Sequence, residues 1–307
     1  MKYQQIKYEK LNTYPLTERE SKVSVDNFFK SNERDFIDKL PKILAGEDLK
    51  NIIEITLKAV KGNNKVILAM GAHVIKVGLS PLIIELLKKG VIDLIALNGA
   101  GIIHDSEIAM SGKTSEDVDK NLDHGNFGMS EDTSFQINNA INIGFKDGLG
   151  LGESIGRWLK EGDFKYNNYS ILYNAYQLDI PVTVHVALGT DIIHMSEHAD
   201  GKAIGECSLR DFKIFCNSVK DLQNGVFFNV GSAVILPEVF LKAVTLVRNL
   251  GYKLDDFTTV NLDFIKHYRP MTNVVTRPVK NKGKGFYLVG HHEIMLPLIF
   301  TTLLDKL

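Results

Sequence analysis

The sequence predicts an α/β fold: a doubly wound, Rossmann-like parallel sheet with an N-terminal helical arm. Three observations carry that prediction. From Lys65 onward, short β-branched apolar runs alternate with longer amphipathic stretches, the pattern of βα units whose strands are covered on both faces. Each apolar run stops in small or polar residues, as strand ends along one edge of a parallel sheet do. Residues 1–62 read differently, being polar and Lys-rich with helical spacing in their second half, so the expected division is an arm, 1–62, and an α/β domain, 63–307.

The elements follow in order. In the arm, Ser24 or Asp26 is the expected cap, and Phe28, Phe29, Phe36, Ile37, Leu40, Ile43 and Leu44 fall at helical spacing. Strands are expected near 65–70, 92–97, 181–187, 225–230, 257–262, 273–277 and 285–289. Helices are expected near 80–89, 102–111, 131–160, 169–178, 206–222, 237–249 and 292–305. The polar segment from Thr114 to Gly128 reads as a helix cap followed by an exposed loop.

Composition narrows the function. With 307 residues, 44% of them hydrophobic, the chain can bury a full core. Its 36 Lys and Arg against 37 Asp and Glu leave a formal net charge of -1, which gives no reason to expect nucleic acid or a membrane surface as partner. Cys207 and Cys216 fall too far apart on one expected helix for a disulfide and do not form a CxxC metal motif. The start lacks an apolar leader core, and no stretch approaches the roughly 20 apolar residues of a membrane span. A cytoplasmic protein acting on a small molecule is expected.

The strand ends supply the candidate site. They are Gly71, Ala72 and His73; Asn98, Gly99, Ala100 and Gly101, with His104 and Asp105 behind; Gly189, Thr190 and Asp191; Asn229, Gly231 and Ser232; Asn261 and Asp263; and Gly290 to Glu293. In an open parallel sheet these converge on one crevice, and glycines there let backbone N–H groups approach a phosphate. "NGAGIIHD" is a partial dinucleotide fingerprint, with His104 at the third glycine position. Histidines gather at the same edge, and His291, His292 and Glu293 open the last helix, whose positive dipole end favours neutral imidazole. The acid/base candidates are His104 with Asp105, His194 with Asp191, and the set His291, His292 and Glu293. Lys76 is a candidate nucleophile or phosphate contact, and Arg269 with Arg277 could clamp a carboxylate or hold a dimer partner. His185, Asp191, His194 and His198 form an alternative metal set for a hydrolase, with the i, i+4 spacing of His194 and His198 but no HExxH. A serine hydrolase lacks its G-x-S-x-G elbow.

Four segments, "GLSPLIIELLKKGVIDLIALNGAGIIHD", "GTDIIHM", "GVFFNVGSAVILPEVFLKAVTLVRNLG" and "GFYLVGHHEIMLPLIFTTLL", resemble the deoxyhypusine synthase family in order and separation, over roughly 65–307. The resemblance implies an NAD-binding domain, a homo-oligomer (dimer or tetramer), and an amine substrate, polyamine or basic amino acid, oxidised transiently before group transfer or deamination. It matches Gly71, Ala72 and His73 to the family's first dinucleotide segment and Asn98 to Gly101 to its "TTAGG" turn. Asp191 matches the aspartate of its "GD" segment, Gly231 and Ser232 its glycine-rich strand end, Asn261 its "NTA" segment and His291 the aspartate of its "DAS" segment. The family's Trp-Gly-Lys motif is absent. In its place stands "NVVTRPVKNKGKG", where Lys280, Lys282 and Lys284 are expected in a solvated hairpin. The alternatives left open are the metal-dependent hydrolase and a non-catalytic dinucleotide-binding sensor.

Overall fold

The computed structural model describes residues 36–123 and 125–307. The chain divides into two compact units, Met1–Glu47 and Asp48–Leu307. The expected cap at Ser24 or Asp26 and the phenylalanines Phe28 and Phe29 lie outside the described residues. What is described of the first unit is α1 (Phe36–Lys39) and the first turn of α2 (Leu44–Lys61).

The second unit is built on six strands. In chain order they and their helices are β1 (Val66–Met70), α3 (His73–Lys76), α4 (Ser80–Lys88), β2 (Leu94–Asn98), α5 (Gly99–Ser111), α6 (Val118–Leu122), α7 (Glu131–Lys146), α8 (Leu151–Gly162) and α9 (Ile171–Gln177). There follow β3 (Val182–His185), α10 (Gly201–Lys220), β4 (Val226–Val230), α11 (Ile235–Asn249), β5 (Thr258–Asp263), α12 (Tyr268–Pro270), β6 (Lys284–Val289) and α13 (His292–Lys306). Every strand pairing is parallel and the order is β3-β2-β1-β4-β5-β6. The chain therefore winds outward from β1 in one direction and from β4 in the other, the doubly wound order with its switch point between β1 and β4. Strands β1 and β4 are buried along their whole length, which is why they read as continuous apolar runs rather than alternating ones. On one face, Phe215, Phe227, Phe240 and Phe257 form the centre of the core, with Phe227 and Phe240 stacked at 3.7 Å. Each such side chain contributes about 1.5–3 kcal/mol by leaving water.

Three expectations are corrected. The run at 273–277 is no strand: Met271–Thr276 is a π-helix continuing from α12, held under the sheet where Thr259 Oγ1 donates to the Val274 carbonyl. Three apolar or β-branched residues are too few to show a period, so their burial could not distinguish the two forms. The helix expected at 131–160 is two, broken where Gly148 takes φ +79. No hairpin forms around Lys280 and Lys282, because β6 runs parallel to β5; both lysines are exposed in the crossover and Lys284 opens β6. Cys207 and Cys216 lie on α10 as unpaired buried thiols, each pushed up to about 11 by burial. Among the described residues no helix is long and apolar enough to cross a membrane.

Candidate active-site crevice

Because all six strands are parallel, their carboxyl ends share one edge, and the switch point divides the crevice there into two arms. At the switch point itself, β1 and β4 approach so closely that a Cβ on Gly71 would run into the Gly231 carbonyl. Gly231 takes φ +63, and a Cβ there would meet the His292 ring. These two glycines therefore serve the approach of strand to strand and of α13 to β4.

The arm over β4 to β6 holds buried polar groups that the protein does not satisfy. His292, 2% exposed, has no hydrogen-bond partner for either ring nitrogen. Its ring stands edge-on to that of His73 at 5.9 Å, and burial lowers its pKa against the opposing pull of Asp263. Asn229 Nδ2 donates to Asn261 Oδ1 (2.6 Å) and to the Ser232 carbonyl (2.9 Å). That leaves Asn229 Oδ1 and Asn261 Nδ2 buried and unpartnered. Asp263, 3% exposed at the end of β5, accepts from the Phe264 N–H (2.9 Å) and lies 3.7 Å from His267 Nε2. Ser232 is committed locally, its hydroxyl oxygen accepting from the Leu236 N–H at the start of α11 (3.3 Å). His291 and Glu293 turn outward as a pair at 3.9 Å with His291 70% exposed, so of the three residues opening α13 only His292 faces inward.

The arm over β2 and β3 is a cleft of about 290 Å³ lined by Lys76, Ala100, His104, Glu107, Thr190 and Asp191 among others. Asn98 caps α5, its Oδ1 accepting from the Gly101 N–H (3.2 Å). A Cβ on Gly99 would overlap the Asp191 carboxylate, so this glycine admits a protein carboxylate to the helix N-terminus, where the sequence suggested a phosphate. Asp191 Oδ2 is buried without a partner, and burial raises its pKa while His194 opposes the rise. His194 Nδ1 accepts from the N–H groups of Gly189 and Asp191 (both 3.2 Å), which places the ring proton on Nε2, 3.9 Å from Asp191 Oδ2. Thr190 donates to the Ala187 carbonyl (2.7 Å). Ala72 is buried at the start of α3, and His73 and Lys76 are exposed on it.

Several sequence candidates separate. Asp105 does not pair with His104: it is fully buried and accepts from Ser170 Oγ (2.5 Å) and from the N–H groups of Ile171 (2.8 Å) and Leu172 (3.0 Å), capping α9. Consecutive residues on a helix point about 100° apart, so one enters the core as the other faces the cleft. Burial pushes Asp105 up to about 6. The alternative metal set is likewise scattered. His185 is edge-on to Phe215 at 5.3 Å and beside Thr183 Oγ1 (3.1 Å), lowered to about 4 by burial, while His198 packs on Phe135 at 5.0 Å. Among the described residues no group of three or more His, Cys, Asp or Glu could hold a metal. Arg269 pairs through Nε with Glu238 (3.5 Å) and Arg277 donates to Asn273 Oδ1 (2.9 Å), so each already has a partner within the protein.

Three residues were missed by sequence reasoning. Glu107 could be found as the i+3 neighbour of His104 on α5. Thr114 carried no such signal, since it returns to His104 only after the left-handed turn at Gly112. Asp211 lines a second cleft, at the amino end of β3, but its Oδ2 is bound by the N–H groups of Gly152 (3.0 Å) and Val184 (2.8 Å), a structural anchor like Asp105.

No family model matches the chain. A deoxyhypusine synthase-like protein of Chlorobaculum tepidum is 23% identical over 212 residues, which span 61% of this chain and 59% of that protein. Among solved structures, an LOR/SDH protein of Methanococcus maripaludis S2 is 19% identical with TM-score 0.50, over 85% of this chain and 68% of that one. ArgZ, an arginine dihydrolase of the ornithine-ammonia cycle in cyanobacteria, is 15% identical with TM-score 0.52, over 90% of this chain and 33% of its own. AgrE, solved in a ternary complex with ornithine and NAD+, is 14% identical with TM-score 0.53, over 87% of this chain and 34% of its own. These structures share the fold.

Proposed function

From the chain's distant relationship to the deoxyhypusine synthase-like proteins, we propose that it is an NAD-dependent enzyme that transiently oxidises an amine, a polyamine or basic amino acid, before group transfer or deamination. The observation that carries this reading is the set of buried, unpartnered polar atoms at the switch point: both nitrogens of His292, Asn229 Oδ1 and Asn261 Nδ2. Each unpaired buried group costs about 1–3 kcal/mol, so a ligand that bonds them recovers a cost the fold has already incurred.

The residues present fit a dinucleotide laid across the switch point. On the β4 to β6 arm, Asn229, Asn261 and Gly231 would hold the nicotinamide half, their free amide groups suiting a carboxamide and a ribose. On the β2 to β3 arm, Asp191 would take ribose hydroxyls, as an acidic residue at this edge of such sheets does, and Lys76 would face the pyrophosphate. Gly71, Ala72 and His73 would line the turn between the halves, with Gly99, Gly189 and Thr190 shaping the outer arm and Ser232 steadying the inner one.

Bound NAD supplies a hydride acceptor for the C–H beside the amine. His292, kept towards its neutral form by burial, would accept the proton that leaves the substrate ammonium, so that the free amine can give up hydride and become an iminium ion. Asp263, with Glu293 at the rim, favours the cationic substrate, and His73 and His267 border the same space. His104 and His194 belong to the cofactor arm in this assignment, and Lys76 serves as a phosphate contact. The reading includes a homo-oligomer, which light scattering tests, and a cytoplasmic location, which subcellular fractionation tests. Calorimetry with NAD, followed by a screen of polyamines and basic amino acids for absorbance at 340 nm, tests the reading. Absence of binding at millimolar NAD overturns it, and NAD binding without turnover of any amine favours a sensor.

A further inference from the structure

Resting on the reading that the β2 to β3 cleft holds the adenosine half of the dinucleotide, we infer that His104 reads the base, presenting a hydrogen-bond acceptor to the exocyclic amino group of adenine. The direction of this acceptor follows from the chain of bonds behind it. An ionised carboxylate only accepts, and Glu107 receives the hydroxyl protons of Thr114 (2.5 Å) and Thr133 (3.1 Å). Thr114 has one hydroxyl proton, and it is directed to Glu107. Its oxygen, 2.6 Å from His104 Nδ1, must therefore accept, which places the imidazole proton on Nδ1.

The ring is neutral, because burial lowers its pKa and Lys76 acts in the same direction, with only Glu107 opposing. His104 Nε2 is then a bare lone pair, and nothing among the described residues bonds it. The cleft it lines is walled by Ala100, Ile103, Phe127 and Ile192, apolar surface suited to the faces of a flat ring. A purine with an amino group at position 6 satisfies the lone pair. A 6-oxo purine sets a carbonyl against it, two acceptors with no proton between them. Sites built to bond one such group reject the analogue that lacks it far more strongly than apolar pockets reject a change of size.

The test compares NAD with nicotinamide hypoxanthine dinucleotide, its 6-oxo analogue, by calorimetry on the full chain. The wild type is expected to bind NAD at least about tenfold more tightly. Thr114→Val frees Nδ1 and lets the proton move to Nε2, so the preference should narrow to within about threefold while NAD still binds. His104→Phe, which keeps a ring against the apolar wall, should abolish the preference as well, guarding against a Thr114 variant that simply disturbs the loop. Equal affinities in the wild type, or a preference that survives His104→Phe, would overturn the inference alone. Failure of both dinucleotides to bind at millimolar concentration would overturn it together with the reading beneath it.

Discussion

Two sets of buried polar groups, one packed behind β2 and β3 and one beyond the switch point, are held in different ways. Beside β2 and β3, the buried carboxylates of Asp105 and Asp211 accept backbone N–H groups from α8, α9 and β3, and each is an internal cap. Beyond the switch point, His292, Asn229 and Asn261 are just as deeply buried, yet keep nitrogens and oxygens that no protein group bonds. A perturbed pKa alone does not separate the cases, for Asp105 and His292 are both shifted, and mainly by desolvation. Partnership does. A buried carboxylate bound by several backbone N–H groups is holding the fold together, whereas the ring nitrogens and amide groups at the sheet edge that no protein group bonds are those a ligand could complete.

That contrast is open to direct attack. The largest effect belongs to the unpartnered side: His292→Asn should cut amine-dependent NADH formation by about 10²- to 10⁴-fold while leaving the melting temperature unchanged or slightly raised. A drop of less than tenfold would remove His292 from proton transfer. On the partnered side, Asp105→Ala should leave turnover by the folded fraction intact but cost about 3–5 kcal/mol in denaturant unfolding, because Ser170 Oγ and two N–H groups lose their acceptor. A loss below about 1 kcal/mol would show that α9 needs no such cap.

The partnered acids also set a pH dependence. Asp105 and Asp211 rise from 3.8 to about 6 and about 7, so between those values the folded chain holds protons that the unfolded chain has released. Their contribution is therefore most favourable near pH 4 and declines as pH climbs towards 7, with a limiting slope of about 1.4 kcal/mol per pH unit for each group. Unfolding midpoints measured across that window should show the decline, and Asp211→Asn should flatten its upper part. The smallest effect is expected at Arg269, half-exposed and paired with Glu238: Arg269→Ala should change stability by no more than about 0.5 kcal/mol and turnover by less than twofold. A large loss of turnover there would restore the carboxylate clamp suggested by its position in the sequence.

Much of the framework was legible in the chain. Strands β1 to β5 show as buried runs and β6 as a half-exposed edge, and Asn98, Asn229 and Asp263 could be read as strand-end residues, with Asp191 in the turn after β3. The site was legible only as a set of candidates. His104 and Asp105 looked like an acid/base pair because they are adjacent, but helical rotation sends them to different environments. Likewise His291, expected to replace a family aspartate, is exposed, while His292 beside it is enclosed. The Val274 and Val275 run gave the wrong element because burial without period suits a π-turn under the sheet as well as a strand.

By itself, then, the sequence determined the class of fold, the edge of the sheet that carries the polar residues and the kinds of residue gathered there, because period, strand punctuation and composition are local properties of a chain. The tertiary structure decided which of those residues have partners. Whether Asp105 meets the N-terminus of α9, whether Gly99 admits Asp191, and whether His292 is left with two unbonded nitrogens depend on segments tens of residues apart. Hydrogen bonds act over about 3 Å, and only the packed chain brings such segments that close.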